Sequence, residues 1–195
     1  MSEQDRIKWD EKYIKKSELL RPREASVNIK KFVEKSTGAK ALDLACGAGR
    51  NTIYLAKHGY EVDAFDIAVA ALDALVAEAQ REEVSALVSA QLADLDTFTP
   101  ATETYELIIM MNYLDRGLIV RAQEGLKSEG LFIVETYMED EGNEKKDSNA
   151  ENLLKKGELK TLFDEGYELL FYDEFWNESY ELYRMRKQVI VVKKS

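Results

Sequence analysis

An α/β fold built on a mostly parallel sheet, with one strand reversed near its edge, is what this sequence predicts. Three observations carry that expectation. Short apolar runs alternate with segments of helical periodicity over most of the chain. The run Asp43-Leu44-Ala45-Cys46-Gly47-Ala48-Gly49-Arg50-Asn51 sets two spaced glycines between a strand-like segment and a helix start. Near the C-terminus, strand candidates at Tyr167–Trp176 and Leu182–Lys193 are joined by a short polar turn, Asn177-Glu178-Ser179, which permits only an antiparallel pair.

Residues 1–20 are polar with scattered aromatics, Trp9 and Tyr13, and resist regular structure. Pro22 suits the first turn of a helix, where its missing N–H is not needed. Ala25, Ile29, Phe32, Val33 and Ser36 follow at helical spacing, and Gly38 stops the helix. Ala41–Ala45 reads as a strand, Asn51–His58 as a helix closed by Gly59, and Tyr60–Ile67 as a second strand. Ala68, Ala71, Leu72, Leu75 and Ala79 share a helix face, and Ala86–Leu92 is a third strand. Tyr105–Met111 (YELIIMM) is almost continuously apolar, as a parallel strand buried on both faces requires. Leu118, Ile119, Ala122 and Leu126 predict a helix over 115–126, Gly130–Tyr137 a fifth strand, and 150–165 a helix stopped near Gly166. Residues 138–149 (MEDEGNEKKDSN) are polar and read as a lid or a solvated loop.

At 195 residues the chain fits one domain, with 1–37 as an N-terminal cap and helix and 38–195 as the core. Thirty-seven acids against 27 bases leave a net charge of −10, which argues against nucleic acid and anionic membrane as partners. No apolar run approaches the ~18 residues of a membrane span. MSEQDRIKWDEKY has no apolar signal core, and Cys46, the one cysteine, cannot form an internal disulfide. These features predict a cytoplasmic protein, monomeric or homodimeric.

The glycine loop is the chemical centre. In an open α/β sheet, ligands bind beyond the carboxyl ends of the strands, where strand order reverses. Gly47 and Gly49 let the backbone turn tightly there, and the following helix start offers free N–H groups. A dinucleotide fingerprint wants a third glycine where Thr52 stands. The acid Asp43, four residues before Gly47, suits instead a ligand with an ammonium group. S-adenosylmethionine carries an ammonium and a sulfonium. Asp66, 17 residues after Gly49, is placed to accept both ribose hydroxyls, or else to cap the next helix. Asp94, or its neighbour Asp96, follows the third strand and can accept a bond from the adenine amino group. Arg50 sets a cation at a helix N-terminus, which opposes the dipole by ~0.3–1 kcal/mol unless it meets an anion. The cofactor carboxylate would serve, a surface arginine being the alternative.

These residues resemble the class I S-adenosylmethionine-dependent methyltransferases, and most closely their tellurite-resistance type branch. The likeness runs through ALDLACGAGRNTIYLAKHGYEVDAFDI (residues 41–67), notably at CGAGRN and the Gly59-Tyr60 turn. Trp9-Asp10 and Tyr13 resemble the branch's N-terminal cap, and NYLDR (112–116) and NLLKKGEL (152–159) are similar to other members. The resemblance implies a Rossmann-like three-layer sandwich with a seven-stranded sheet whose last strand is reversed. It implies that Asp43, Gly47, Asp66 and Asp94 contact the cofactor and that Ala45 and Asn112 contribute backbone groups. Ile67 and Leu95 would flank the adenine, Tyr13 would close over the site, and Trp9 is a further cofactor contact and lid aromatic. The usual Lys-Pro-Gly-Gly turn is Lys127-Ser128-Glu129-Gly130 here, and the single histidine, His58, lies at the far end of its helix and reads as structural.

Transfer from a sulfonium is an in-line displacement of an already activated methyl group, leaving S-adenosylhomocysteine. The protein mainly aligns the acceptor and excludes water, and no metal is expected. Acceptor-side candidates are Tyr13, Tyr113, Arg116, Glu135 and Tyr137, with Trp176 a further aromatic for a lid. Glu135 could act as base or bind a cation, and Arg116 could hold a carboxylate or oxyanion. Asn112-Tyr113-Leu114 stands where base-methylating enzymes carry an Asn/Asp-Pro-Pro-aromatic motif, so a small-molecule acceptor is expected. The alternative is a non-catalytic sensor or partner-binding protein that uses the same cofactor fold.

Overall fold

The computed structural model describes residues 3–33, 38–177, 181 and 183–195. Its strands are β1 (Lys40–Leu44), β2 (Glu61–Asp66), β3 (Val88–Leu92), β4 (Tyr105–Met111), β5 (Leu126–Tyr137), β6 (Tyr167–Trp176) and β7 (Arg186–Lys194). Its α-helices are α1 (Glu3–Lys15), α2 (Val27–Phe32), α3 (Arg50–Lys57), α4 (Val69–Arg81) and α5 (Arg116–Ala122). The strands form one seven-stranded sheet in the order β3-β2-β1-β4-β5-β7-β6. Only β7 is reversed, pairing antiparallel with both β5 and β6. From β1 the chain moves outward to β2 and β3, then returns to β4 on the other side of β1. The crevice of the sheet therefore opens at the carboxyl ends of β1 and β4.

Alternate residues of the central strands feed two cores. Leu42, Leu44, Ile108 and Met110 face Leu118, Ile119 and Ala122 of α5, with Leu154 and Leu159 beside them. Ala41, Leu107, Ile109 and Met111 face Ile29 of α2, Leu55 and Ala56 of α3, and Leu72, Leu75 and Ala79 of α4. Burial on both faces is why β4 is apolar at nearly every position.

Several local expectations need correction. Residues 3–15 form α1 rather than irregular chain. None of its residues is buried, so the apolar stripe that announces a helix is missing. Acids open it, Lys12 and Lys15 close it, and a Glu11–Lys15 pair at 2.9 Å bridges one turn. Pro22 does not begin a helix; α2 begins at Val27, capped by Ser26, whose Oγ accepts the Asn28 N–H at 3.3 Å. Ser36 lies outside the described residues. The helix expected over 150–165 is two short 3₁₀ turns, Ala150–Asn152 and Glu158–Leu162. Gly157, at φ 73°, breaks the path between them. The final hairpin is joined by residues 177–185 rather than a three-residue turn; Glu178, Ser179 and Leu182 lie outside the described residues. Residues 138–149 form no helix, and Asn143 anchors them through the Met138 carbonyl at 2.9 Å and the Arg186 N–H at 2.7 Å.

Arg116 organises the 150–162 segment. Its guanidinium donates to the Glu151 and Leu153 carbonyls at 2.8 and 3.0 Å and to both Glu158 carboxylate oxygens. Arg116→Ala should lower stability by about 1–2 kcal/mol, because the Glu151 and Leu153 carbonyls and the Glu158 carboxylate lose a charged donor. Urea unfolding would show the loss as an earlier midpoint, with the tryptophan fluorescence and circular dichroism transitions still coincident.

Candidate functional site

The glycine loop joins β1 to α3 at the crevice. Ala45, Gly47 and Gly49 all adopt positive φ, at 57°, 55° and 80°. A non-glycine residue there costs about 1–2 kcal/mol, so Ala45 stores strain at the mouth of the site. Asn112, at φ 61°, does the same at the end of β4, directly across the crevice. Two bonds fix the loop: the Cys46 N–H to the Phe65 carbonyl and the Gly49 N–H to the Cys46 carbonyl, each 3.0 Å. A Cβ on Gly49 would stand 2.2 Å from Leu75 Cδ1, so this glycine seats α3 against α4.

Asp66 ends β2 and holds two turns at once. Its Oδ2 accepts the Gly47 N–H at 2.8 Å and its Oδ1 the Ala68 N–H at 2.9 Å. It is not the cap of α4. That role falls to Asp10 of α1, whose Oδ1 accepts the Ala70 N–H at 3.0 Å. Asp43 is buried, and its Oδ2 accepts the Thr52 hydroxyl at 2.6 Å. Thr52 thus stands in the third-glycine position with a polar task of its own. Burial pushes the Asp43 carboxyl up to about 7, against the opposing pull of the Thr52 bond; burial also raises Asp66.

α1 covers this loop. The Tyr13 hydroxyl lies 3.0 Å from where a Gly47 Cβ would be, and Trp9 packs beside Tyr13 with ring centroids 6.2 Å apart. Ile67 and Leu95 are buried, Leu95 wholly within the α5-side core. Asp94 is exposed, and its Oδ1 accepts the Asp96 N–H at 2.9 Å in the turn after β3. Arg50 opens α3 and acts electrostatically on Asp43, on Tyr137 and on Arg23.

The acceptor-side candidates separate. Tyr113 is half-buried, its phenol pushed up to about 12 by burial and then by Asp115, Asp94 and Asp66. Arg116 is committed to the 150–162 segment through Glu151, Leu153 and Glu158. Glu135 is buried; Ser26 Oγ and Asn28 Nδ2 donate to its Oε2 at 3.0 and 2.8 Å, and Lys187 Nζ lies 3.3 Å from Oε1. It is a tie between β5, β7 and the segment before α2. Tyr137 donates its hydroxyl to Glu181 Oε2 at 2.7 Å. Trp176 sits over Gly142 and under Arg184, whose guanidinium carbon is 3.9 Å from the ring centroid. His58 Nδ1 donates to the Tyr54 carbonyl, 2.8 Å away, at the far end of α3. Roles not read from the sequence are those of Asp10, Ser26, Thr52, Glu181 and Lys187. Lys187 alone left a signal, a charge opening the apolar run of β7.

Among the described residues, no group of three or more His, Cys, Asp and Glu is arranged to hold a metal, and no helix is long and apolar enough to cross a membrane. An open sheet with one reversed strand and a glycine-turn crevice is the methyltransferase-type α/β fold, and solved structures share it. TehB from Haemophilus influenzae superposes with a TM-score of 0.75 at 21% identity, over 88% of this chain and 63% of that one. The present chain thus spans less than two thirds of that relative. The [4+2]-cyclase SpnF gives 0.70 at 14% identity over 86% of this chain and 78% of that one. An S-adenosylmethionine-dependent methyltransferase from Mesorhizobium loti gives 0.68 at 18% identity over 86% and 96%. No curated protein matches in sequence. The family described as tellurite resistance protein TehB matches residues 6–189, and the chain belongs to that family.

Asp43 gives the site a pH signature. Its carboxyl titrates near 7 when folded and 3.8 ordinarily, so the folded state holds the proton more tightly. Stability contributed by this group is therefore present at low pH and lost as pH rises through that window. Asp43→Asn, which keeps an acceptor for Thr52, should be more stable than the parent at pH 8, with the difference vanishing toward pH 4. Thermal unfolding across that range would check it.

Proposed function

We propose that the chain binds S-adenosylmethionine beneath α1 and transfers its methyl group to a small-molecule acceptor. The observation that carries this reading is the Asp66–Gly47 arrangement: an acid at the end of β2 gripping a left-handed glycine turn under a tyrosine. The residues fit such a ligand. Asp66 accepts the Gly47 N–H on one oxygen and the Ala68 N–H on the other, and a carboxylate has about four lone-pair sites, which leaves capacity for a ribose hydroxyl. Asp94 is exposed beyond β3, where an adenine amino group would meet it. Asp43 supplies negative potential for an ammonium, and Arg50 a partner for a carboxylate. Ala45 and Asn112 offer backbone groups at the crevice. When bound, the cofactor supplies an activated methyl whose displacement leaves S-adenosylhomocysteine. Tyr13 and Trp9 exclude water from the loop, and Tyr113 and Tyr137 line the acceptor side. The fold alone supports the reading less strongly than the loop does, since a cyclase uses the same architecture.

Isothermal titration with S-adenosylmethionine, S-adenosylhomocysteine and NADH tests it. Binding of the first two and not the third is expected. Asp94→Ala should weaken both by about fivefold or more, the order of one lost hydrogen bond, while loss of the exposed Asp96 N–H bond shifts the unfolding midpoint only slightly. No binding by the intact protein would sink the proposal. Binding without turnover across amine, hydroxyl, thiol and oxyanion acceptors would favour a sensor instead.

A further inference from the structure

Beside the crevice, the carboxyl end of β5 meets a buried chain of charges. Lys187 is 1% exposed and its ammonium lies between two carboxylates, Glu135 Oε1 at 3.3 Å and Glu181 Oε1 at 2.5 Å. Glu181 in turn takes the Tyr137 hydroxyl on its other oxygen at 2.7 Å. Burial pushes the Glu181 carboxyl up, but Lys187 and the hydrogen bonds outweigh burial and hold it below its ordinary range. Glu181 is therefore an acceptor only. Burial and then Glu181 push the Tyr137 phenol far up, so it keeps its proton. A phenol has one proton, and that proton is spent on Glu181. Any other polar partner of Tyr137 meets lone pairs alone.

Tyr137 is half-buried, stands at the end of the strand next to Asn112, and lies within electrostatic reach of Arg50 in the glycine loop and of Arg23. We propose that Tyr137, polarised by Glu181 and Lys187, is a hydrogen-bond acceptor that selects methyl acceptors bearing an N–H or O–H. This rests on the methyltransferase reading and names the substrate class of that same site. Arg23 and Arg50 lie within electrostatic reach of Tyr137, so the favoured donor is a neutral amine or hydroxyl rather than an ammonium. The class excludes acceptors with no hydrogen to give, such as tertiary amines, thioethers and fully deprotonated oxyanions. A site built to receive a donor rejects the analogue lacking it, because the buried lone pair is left unmatched. Lys187 is a positioning residue here: it touches no ligand and acts by fixing Glu181.

Matched neutral probes isolate the effect from charge. Phenol against anisole, and aniline against N,N-dimethylaniline, are titrated by ligand-detected NMR into the protein loaded with S-adenosylhomocysteine. Phenol and aniline should each bind about fivefold tighter than the methylated partner, the order of one net hydrogen bond. Tyr137→Phe should abolish the preference. Glu181→Gln should abolish or invert it, since an amide can donate to Tyr137 and free its proton. Lys187→Met should lose the preference and Lys187→Arg should retain it, a rescue that a purely structural role would not link to probe choice. Equal binding within both pairs, or a preference that survives Tyr137→Phe in a folded variant, would overturn the proposal. Failure of S-adenosylhomocysteine to bind would instead strike the cofactor reading, and the same probe pairs can still be compared on the unloaded protein.

Discussion

Everything at the crevice hangs on one carboxylate. Asp66 joins two turns that are 19 residues apart at the Gly47 end and adjacent at the Ala68 end. The first turn launches α3 and the second launches α4. Burying a carboxylate is costly, and its backbone N–H donors are what make it tolerable. In exchange the donors are themselves satisfied, and the left-handed path of the loop is held without any bulky side chain in it. The remaining features of the site take their places from this: Thr52 and Asp43 sit behind the loop, Tyr13 in front, and Gly49 against Leu75.

The elements that sequence reasoning recovered are those whose signal is local. YELIIMM in β4 and the Ala71/Leu72/Leu75/Ala79 face of α4 announce burial by their own pattern. α1 carried no such pattern, because it lies on the surface and is held by polar contacts to residues far along the chain. The 150–162 segment had apolar residues at helical spacing, and Leu154 and Leu159 are indeed buried. Yet Arg116 claims the carbonyls of Glu151 and Leu153, which a helix would have needed for itself. A side chain 35 or more residues away thus overrode local periodicity.

The same division runs through the site. The glycine loop was legible, since its acids and glycines are neighbours in sequence. The acceptor side was not, since its logic is pairwise and distant. Glu135 and Arg116 look like ligand-binding charges until their partners are known; one is consumed by Ser26, Asn28 and Lys187, the other by Glu158. Conversely, Glu181 has no local mark, and its meaning comes from Lys187 and Tyr137. The missing third glycine also finds a physical account in three dimensions: Thr52 hydrogen-bonds a buried acid that a glycine would leave without that partner.

α1 contributes none of its residues to either core. An isolated helix of its 13 residues is marginal in water, so its order is borrowed from the body it rests on. Detaching it sacrifices an end cap on α4 and the Tyr13 contact but exposes little apolar surface. Its opening free energy therefore lies well below that of the sheet, as a separate cooperative unit in hydrogen exchange. A ligand held beneath α1, as proposed, would enter and leave through that small local equilibrium. Changes along α1 can then retune residence time over a wide range while the melting point of the protein stays where the sheet sets it.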